Sequence, residues 1–327
     1  MKTLLLSFLM MFTISAFSQQ AWTKFTQQPS VTWAAFTGAA RHFTNPNLSL
    51  LLRQQFDKGK IRARFSGEKW DGGKYVTRTE VINRIEPEHT AEIYDSAGNR
   101  VATVRYADNP LFAESYFTAG TNDLVQIEEV LYVQAGKLKS HIASVAPMFS
   151  VRTMSGTDLG NSAAFSTAFN NIPLVPAPLR SKALAIGSTT TMISLDSFQQ
   201  RNMIKQLYAQ NLLEALWPAL SARNVVVTTI DSSHRIPFNK LSYSLINPVI
   251  ISVPRYDEYG NASAVTVAPQ KLTAADFSAI AINQEWYYHA GKNLLFTEIP
   301  SIILYGKKWV DGKLSETAEP LVKIPMQ

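Results

Sequence analysis

The 327-residue chain has no cysteine and only five histidines. The first absence excludes disulfides, Cys-ligated zinc or iron-sulfur centres, a thiol nucleophile and an acylated cysteine. Charge is scarce as well: 31 Lys and Arg stand against 25 Asp and Glu, a net +6, in a chain only 17% charged. Basic residues this dilute do not form the concentrated patch with which a dedicated nucleic-acid protein grips phosphates, so no nucleic-acid partner is expected. After residue 17 no uncharged apolar run approaches the ~20 residues that cross a bilayer. Apolar residues nevertheless make up 46% of the chain, enough for ordinary packed cores and too many for disorder over most of its length.

What is present starts with Met1-Lys2-Thr3, an apolar run from Leu4 to Phe17, and a polar break at Ser18-Gln19-Gln20. One cation, about a dozen apolar residues and a small residue before the break form the pattern of a cleaved export signal. Residues 1–18 are therefore expected to direct the chain to the periplasm or the outer membrane and to leave a mature chain without a transmembrane segment. Freedom from thiols suits an oxidising compartment. Residues 19–46 follow, rich in Gln, Thr and aromatics, with Trp22, Phe25, Trp33 and Phe36 in two Trp-x-x-Phe pairs. Lacking a clear helix or strand period, they predict an extended aromatic arm. Because exposed Trp and Phe need cover, the arm lies either on a partner or back on its own domain.

Further along, the chain repeats itself. Tyr94-Asp95-Ser96-Ala97-Gly98-Asn99 returns as Tyr256-Asp257-Glu258-Tyr259-Gly260-Asn261, and Ile85-Glu86-Pro87 as Ile246-Asn247-Pro248. Glu129 to Lys137 returns, with one deletion, as Glu285 to Lys292, each ending in Ala-Gly-Lys. Three anchors in one order, at a spacing of roughly 155 to 162 residues, point to a duplicated domain. In each half, apolar residues at helical spacing (Leu48, Leu51, Leu52, Phe56; Leu207, Leu212, Leu213, Leu216) precede a strand-prone run at 60–65 or 224–230. A hairpin tip built on Asp-x-x-Gly-Asn comes next, then a second hairpin around Ala-Gly-Lys. The expected fold is α+β: two tandem similar modules, 47–150 and 200–327, each a helix packed on a mostly antiparallel sheet, joined by a Ser/Thr/Pro-rich connector at 151–199.

Candidate chemistry is sparse. His42, His89, His141, His234 and His289 show no pair at ligand spacing, so neither a metal nor a cofactor is expected. Asp231-Ser232-Ser233-His234 holds the residue types of a triad, but sequence neighbours point apart and no Gly-x-Ser-x-Gly elbow is present; it reads as a turn. The Asp-x-x-Gly-Asn segments are shorter than calcium loops with a defined ligand register. Glu129 and Glu285 take the same place in the two halves. A carboxylate pair across the modules would suit a hydrolase, whereas local hydrogen bonds or a cross-strand Lys would leave each structural. As partner or ligand contacts the candidates are Trp22, Trp33, Glu129, Tyr132, Glu285, Trp286 and Tyr288, with Tyr132, Trp286 and Tyr287 placed to line a cleft between modules.

The run Val125-Gln126-Ile127-Glu128-Glu129-Val130-Leu131-Tyr132, continuing through Lys137-Leu138-Lys139 to Ile142-Ala143-Ser144-Val145-Ala146-Pro147, resembles the central hairpin of the gliding-motility GldN family, called PorN in non-gliding bacteria. Glu285-Trp286-Tyr287-Tyr288 keeps that hairpin's aromatic strand, and Leu50 to Ile61 is similar to the family's helix leading into a Gly-Lys-Ile strand. The resemblance implies a non-catalytic periplasmic component of the type IX secretion and gliding machinery of Bacteroidetes. It also implies a homo-oligomeric ring, with an outer-membrane lipoprotein and other secretion components as protein partners. Here the module occurs twice, and the family's region after the hairpin has no match from Met148 onward, which points to a distant relative. A ligand-binding module with an inter-domain cleft, and a hydrolase using Glu129 and Glu285, are the competing readings.

Overall fold

The computed structural model describes residues 30–44, 46–65, 75–85, 90–105, 123–152, 158–163, 165–167, 181–195, 205–206, 210–230, 233–242, 252–266, 271–310 and 313–326. Residues 1–18, expected to be an export signal, and Trp22 lie outside the described residues. The fold mixes helix and sheet, with strands predominating, in two main antiparallel sheets. The first contains β1 (Val31–His42), β4 (Leu124–Gln134), β5 (Lys137–Arg152), β6 (Asp158–Ala163) and β8 (Lys205–Gln206), in the order β6-β5-β4-β1-β8. The second contains β7 (Leu184–Ser194), β9 (Val226–Thr229), β10 (Arg235–Pro237), β13 (Ala279–His289), β14 (Leu294–Gly306) and β17 (Glu319–Pro325), in the order β10-β9-β17-β14-β13-β7. Three two-stranded ribbons complete the strands: β2 (Thr90–Tyr94) with β3 (Arg100–Arg105), β11 (Ser252–Tyr256) with β12 (Ala262–Thr266), and β15 (Trp309–Val310) with β16 (Lys313–Leu314). The helices are α1 (Leu48–Asp57), α2 (Arg78–Ile85) and α3 (Leu212–Ala222). Among the described residues no helix is long and apolar enough to cross a membrane.

Local chemistry sets the helix starts. The Asn47 side chain accepts the Leu50 N–H at 2.9 Å and opens α1. Asn211 and Glu214 form a reciprocal capping box on α3, with the Glu214 N–H donating to Asn211 at 2.9 Å and the Asn211 N–H to Glu214 at 2.8 Å. That cap is why the second helix begins at Leu212 rather than at Lys205, where periodicity alone would start it; Lys205 and Gln206 are strand β8 instead. Pro218 sits inside α3 without ending it.

The two long hairpins turn differently. Ala135 and Gly136 join β4 to β5 with both φ angles positive, 50° and 68°, as a two-residue turn of the primed type requires. A Cβ on Gly136 would run into the Ala219 methyl of α3, so this turn also fits the hairpin against the helix. Between β13 and β14 the link is longer, a 3-10 turn over Ala290–Lys292 followed by Asn293 at φ 46°, with His289 Nδ1 accepting the Lys292 N–H at 3.2 Å.

Two expectations need correction. Residues 31–42, read as part of an arm, are a strand inside the first sheet, paired with β4 from His42↔Leu124 to Val31↔Gln134 and with β8 on the other side. Trp33 and Ala35 are buried on one face of β1 and Val31 and Ala34 on the other. Burial on both faces at Trp33, Ala34 and Ala35, with small residues on the exposed face further along, blurs the period-two pattern that would have announced the strand. Likewise, the expected connector at 151–199 supplies the end of β5, all of β6 and all of β7. Thr and Ser are at home in a half-exposed edge strand, and composition alone does not separate such a strand from a linker.

The expected modules also lack separate cores. One core gathers Leu212, Leu213, Leu216 and Leu220 of α3 between Trp33, Leu131 and Val133 of the first sheet and Ile280, Ile282, Ile302, Leu304 and Val322 of the second. The other gathers Leu48, Leu52 and Phe56 of α1 with Val125, Ile127, Ile142 and Val145 of the first sheet and Ile186, Trp286, Tyr288 and Leu295 of the second. Each core thus draws on one helix and on both sheets. Calorimetry is expected to give one cooperative unfolding transition. Leu52→Ala in one core and Leu216→Ala in the other should each destabilise that same transition by roughly 2–5 kcal/mol. Two separable transitions, each sensitive to one variant, would contradict shared cores.

Candidate functional site

Along the inward face of β4, Glu129 stands between Ile127 of one core and Leu131 of the other; on β13, Gln284 stands between Trp286 and Ile282 in the same way. A belt of polar side chains therefore divides the two apolar cores. Arg41 of β1 enters it from the first sheet, 7% exposed, and Glu129 is 1% exposed. Arg41 Nη2 lies 3.0 Å from Glu129 Oε1, 2.8 Å from Thr191 Oγ1 of β7 and 3.4 Å from Gln284 Oε1. Glu129 Oε2 accepts from Gln284 Nε2 at 2.8 Å and from Ser140 Oγ of β5 at 2.6 Å. Thr191 Oγ1 donates in turn to Gln284 Oε1 at 2.9 Å. The Arg41 guanidinium also lies 5.4 Å from the centre of the Trp286 ring, which meets the Phe43 ring edge-on at 5.8 Å and donates from Nε1 to Thr189 Oγ1 at 2.7 Å.

Burying either charge alone carries a desolvation penalty of several kcal/mol, so the ion pair is tolerable only because hydrogen bonds fill both oxygens of the carboxylate. Donors and acceptors come from β1, β4 and β5 on one side and from β7 and β13 on the other. Chemically, a carboxylate gripped by a guanidinium, an amide and a hydroxyl, and closed off from water, is suited to holding two sheets in one register.

The residues expected to form a site are dispersed. Glu285 does not meet Glu129. It is exposed on the opposite face of β13, where its carboxylate accepts from the Tyr287 hydroxyl at 2.8 Å. The residue that does meet Glu129 is Gln284, and each stands five residues before the last paired residue of its strand, Gln134 or His289. Matching the two Ala-Gly-Lys triplets without a gap gives this same correspondence; setting Glu129 against Glu285 needed the one-residue deletion between the glutamate and the triplet. Tyr132 is buried on the outward face of the first sheet, where burial pushes its phenol above the usual range. Trp33, Trp286 and Tyr288 are core side chains. Tyr288 donates to Asn293 Oδ1 at 2.9 Å, and burial pushes its pKa up to about 12. Trp22 is outside the described residues. Among the described residues, Trp286 and Tyr288 share one core, Trp33 belongs to the other and Tyr132 faces outward, so these side chains are packed apart. Arg41 was legible in principle: it is the one Lys, Arg, Asp or Glu between Lys24 and Arg53, a lone charge in an apolar, Thr-rich stretch.

The repeated Asp-x-x-Gly-Asn segments do form matching hairpin tips. Asp95 Oδ1 accepts the N–H groups of Ala97 and Asn99 at 2.9 and 2.8 Å, and Asp257 Oδ1 those of Tyr259 and Asn261 at 2.9 and 2.8 Å. The amides of Asn99 and Asn261 reach the second carboxylate oxygens, and Gly98 and Gly260 take φ of 82° and 80°. Hydrogen bonds from Asn99 and from Asn261 hold both Asp carboxyls below their ordinary value. Around these tips Tyr94, Val101, Tyr256 and Tyr259 are exposed.

Compared with known proteins, the chain matches no family model, and no curated protein is significantly similar to it.

Removing one partner of the buried pair should be severe. Glu129→Ala is expected to cost about 3–5 kcal/mol in urea unfolding by stranding Arg41, while Glu285→Ala stays within about 0.5 kcal/mol. Equal losses would return Glu285 to the site. At the hairpin tips the folded carboxyls titrate below the unfolded ones, so their contribution is complete above the unfolded value near 4 and disappears as pH falls through the lower folded value. Amide NMR should show the Asn99 and Asn261 N–H signals holding their positions through pH 4 and moving only in stronger acid. Movement beginning above pH 4 would be the contrary result.

Proposed function

We propose that the chain is an exported, non-catalytic assembly component of a bacterial cell envelope, resembling a periplasmic ring subunit of the type IX secretion and gliding machinery. The observation that carries this reading is a division of labour among side chains. The charged inter-sheet cluster is enclosed and engaged with itself, while two ribbons with the same tip present Tyr94, Val101, Tyr256 and Tyr259 to solvent. Tyrosines on projecting ribbons are the kind of surface that partner proteins bury. Support for the location comes from the leader-like residues 1–18, and support for the machinery from the hairpin of residues 125–147. An outer-membrane lipoprotein and other secretion components are the proposed partners.

The same reading takes the two halves as copies of one module. Its support is the shared plan of the sheets, in which β1 adds to the β4–β5 hairpin as β7 adds to β13–β14, with a helix following the first strand and a tipped ribbon before the hairpin. Both hairpins also carry a register irregularity beside the paired residues Glu129 and Gln284.

A tagged chain in its host tests the assignment. Fractionation is expected to place it in the envelope, in a particle several times its own mass after mild crosslinking, and Tyr94→Ala with Tyr256→Ala should reduce that particle. Recovery in the cytoplasm, or as an uncomplexed chain in the envelope, would defeat the proposal.

A further inference from the structure

We propose that Arg62, Arg64 and Tyr75 form a binding site for a phosphomonoester group, the dianionic phosphate of a small molecule or of a lipid headgroup. The sequence there runs Lys58-Gly59-Lys60-Ile61-Arg62-Ala63-Arg64, four cations at every second position. Burial follows the same period. Ile61 and Ala63 are buried in the core around α1, whereas Lys58, Lys60 and Arg62 are exposed and Arg64 is half-buried. The acid just ahead of the row, Asp57, pairs with Arg78 of α2 at 2.5 Å.

The row is held on a fixed backbone. The Lys60 N–H donates to the Gln55 carbonyl at 2.9 Å, Arg64 and Ser166 exchange backbone bonds at 2.9 and 2.7 Å, and the Thr167 hydroxyl donates to the Arg62 carbonyl at 3.0 Å. The Val76 N–H donates to the Ala63 carbonyl at 2.9 Å, which brings Tyr75 alongside. The ring centre of Tyr75 then lies 5.1 Å from the Arg62 guanidinium carbon and 4.9 Å from that of Arg64. Tyr75 is 43% exposed, and hydrogen bonds from Arg62 and then Arg64 hold its phenol below the usual range. Two guanidiniums and a hydroxyl thus meet at an exposed place where negative charge is favoured.

Charge and shape select the ligand. Two like charges gathered on one ring repel each other, and an anion that sits against both relieves the repulsion. A carboxylate brings one charge and a planar fork. A phosphomonoester brings two charges and three free oxygens, enough for the fork of Arg62, the Tyr75 hydroxyl and the charge of Arg64. Arg64 has further partners of its own, so it supplies fixed charge, while the exposed Arg62 and Tyr75 supply the donors. Four cations in one row are too few for a nucleic-acid track and sufficient for one phosphate.

This site goes beyond the assembly reading and does not rest on it: envelope fractionation decides one, and phosphate binding by the purified chain decides the other. Calorimetric titration with inorganic phosphate at about pH 8, where the dianion predominates, should show one saturable site. Arg62→Gln and Tyr75→Phe should each weaken it about tenfold or more. Lys323→Gln, which removes the same charge from an exposed position on β17, should leave it unchanged. In the unaltered chain phosphate should also shift the Arg62 Nε–H NMR signal, a readout that needs no variant to fold. Flotation with phosphatidylcholine vesicles containing phosphatidic acid, against vesicles of equal charge containing phosphatidylglycerol, separates the two sources. Preferential recruitment to phosphatidic acid, lost in Arg62→Gln, assigns a headgroup, and phosphate binding without that preference assigns a soluble ligand. The inference is overturned if neither is seen, or if Lys323→Gln weakens binding as much as Arg62→Gln.

Discussion

The fold depends on the contact between Arg41 and Glu129. Both groups are almost dry, and neither tolerates the loss of the other, so the strands carrying them cannot slide independently. Gln284 and Thr191 extend the constraint to the second sheet. Slipping either sheet by one residue would turn Glu129 or Gln284 to the opposite face and take from the guanidinium an acceptor it is buried against. Apolar side chains of the same volume would fill this belt without a desolvation penalty, so its contribution lies in specifying one alignment of the sheets more than in adding to their stability. The two cores can then be generic, because the belt between them is not.

How much of this was legible in the sequence follows from the range over which each feature is determined. Asn47 and Asn211 start helices through bonds to residues three positions away, and Asp95 and Asp257 close turns within five residues; such signals survive in one dimension. β1 and β7 left almost no trace. β1 is apolar on both faces, and β7 owes its place to hydrogen bonds with β13 rather than to its own hydroxyl-rich composition. Least legible was the polar belt. Arg41 is 88 residues from Glu129 and 243 from Gln284, and no local pattern links residues so far apart.

The pairing of Glu129 with Glu285 shows how a small error in alignment becomes a large error in chemistry. Matching Ala-Gly-Lys with Ala-Gly-Lys sets Glu129 against Gln284, whereas matching glutamate with glutamate needs a one-residue deletion inside a continuous strand. A one-residue offset in a strand exchanges inside for outside. The candidate acid thus became an exposed carboxylate beside Tyr287, and its buried neighbour an amide that donates to Glu129.

The place of β1 has a consequence for the chain's birth. This 12-residue strand is made early, yet β4 and β8, which cover its two edges, emerge only after Leu124–Gln134 and Lys205–Gln206 have been synthesised. Meanwhile an apolar ribbon with both faces and both edges bare is the kind of segment on which nascent chains associate. Closing it requires contacts of long sequence separation, which slows folding relative to proteins built from neighbouring hairpins. Shielding this segment until its neighbours arrive is therefore expected to favour folding over association.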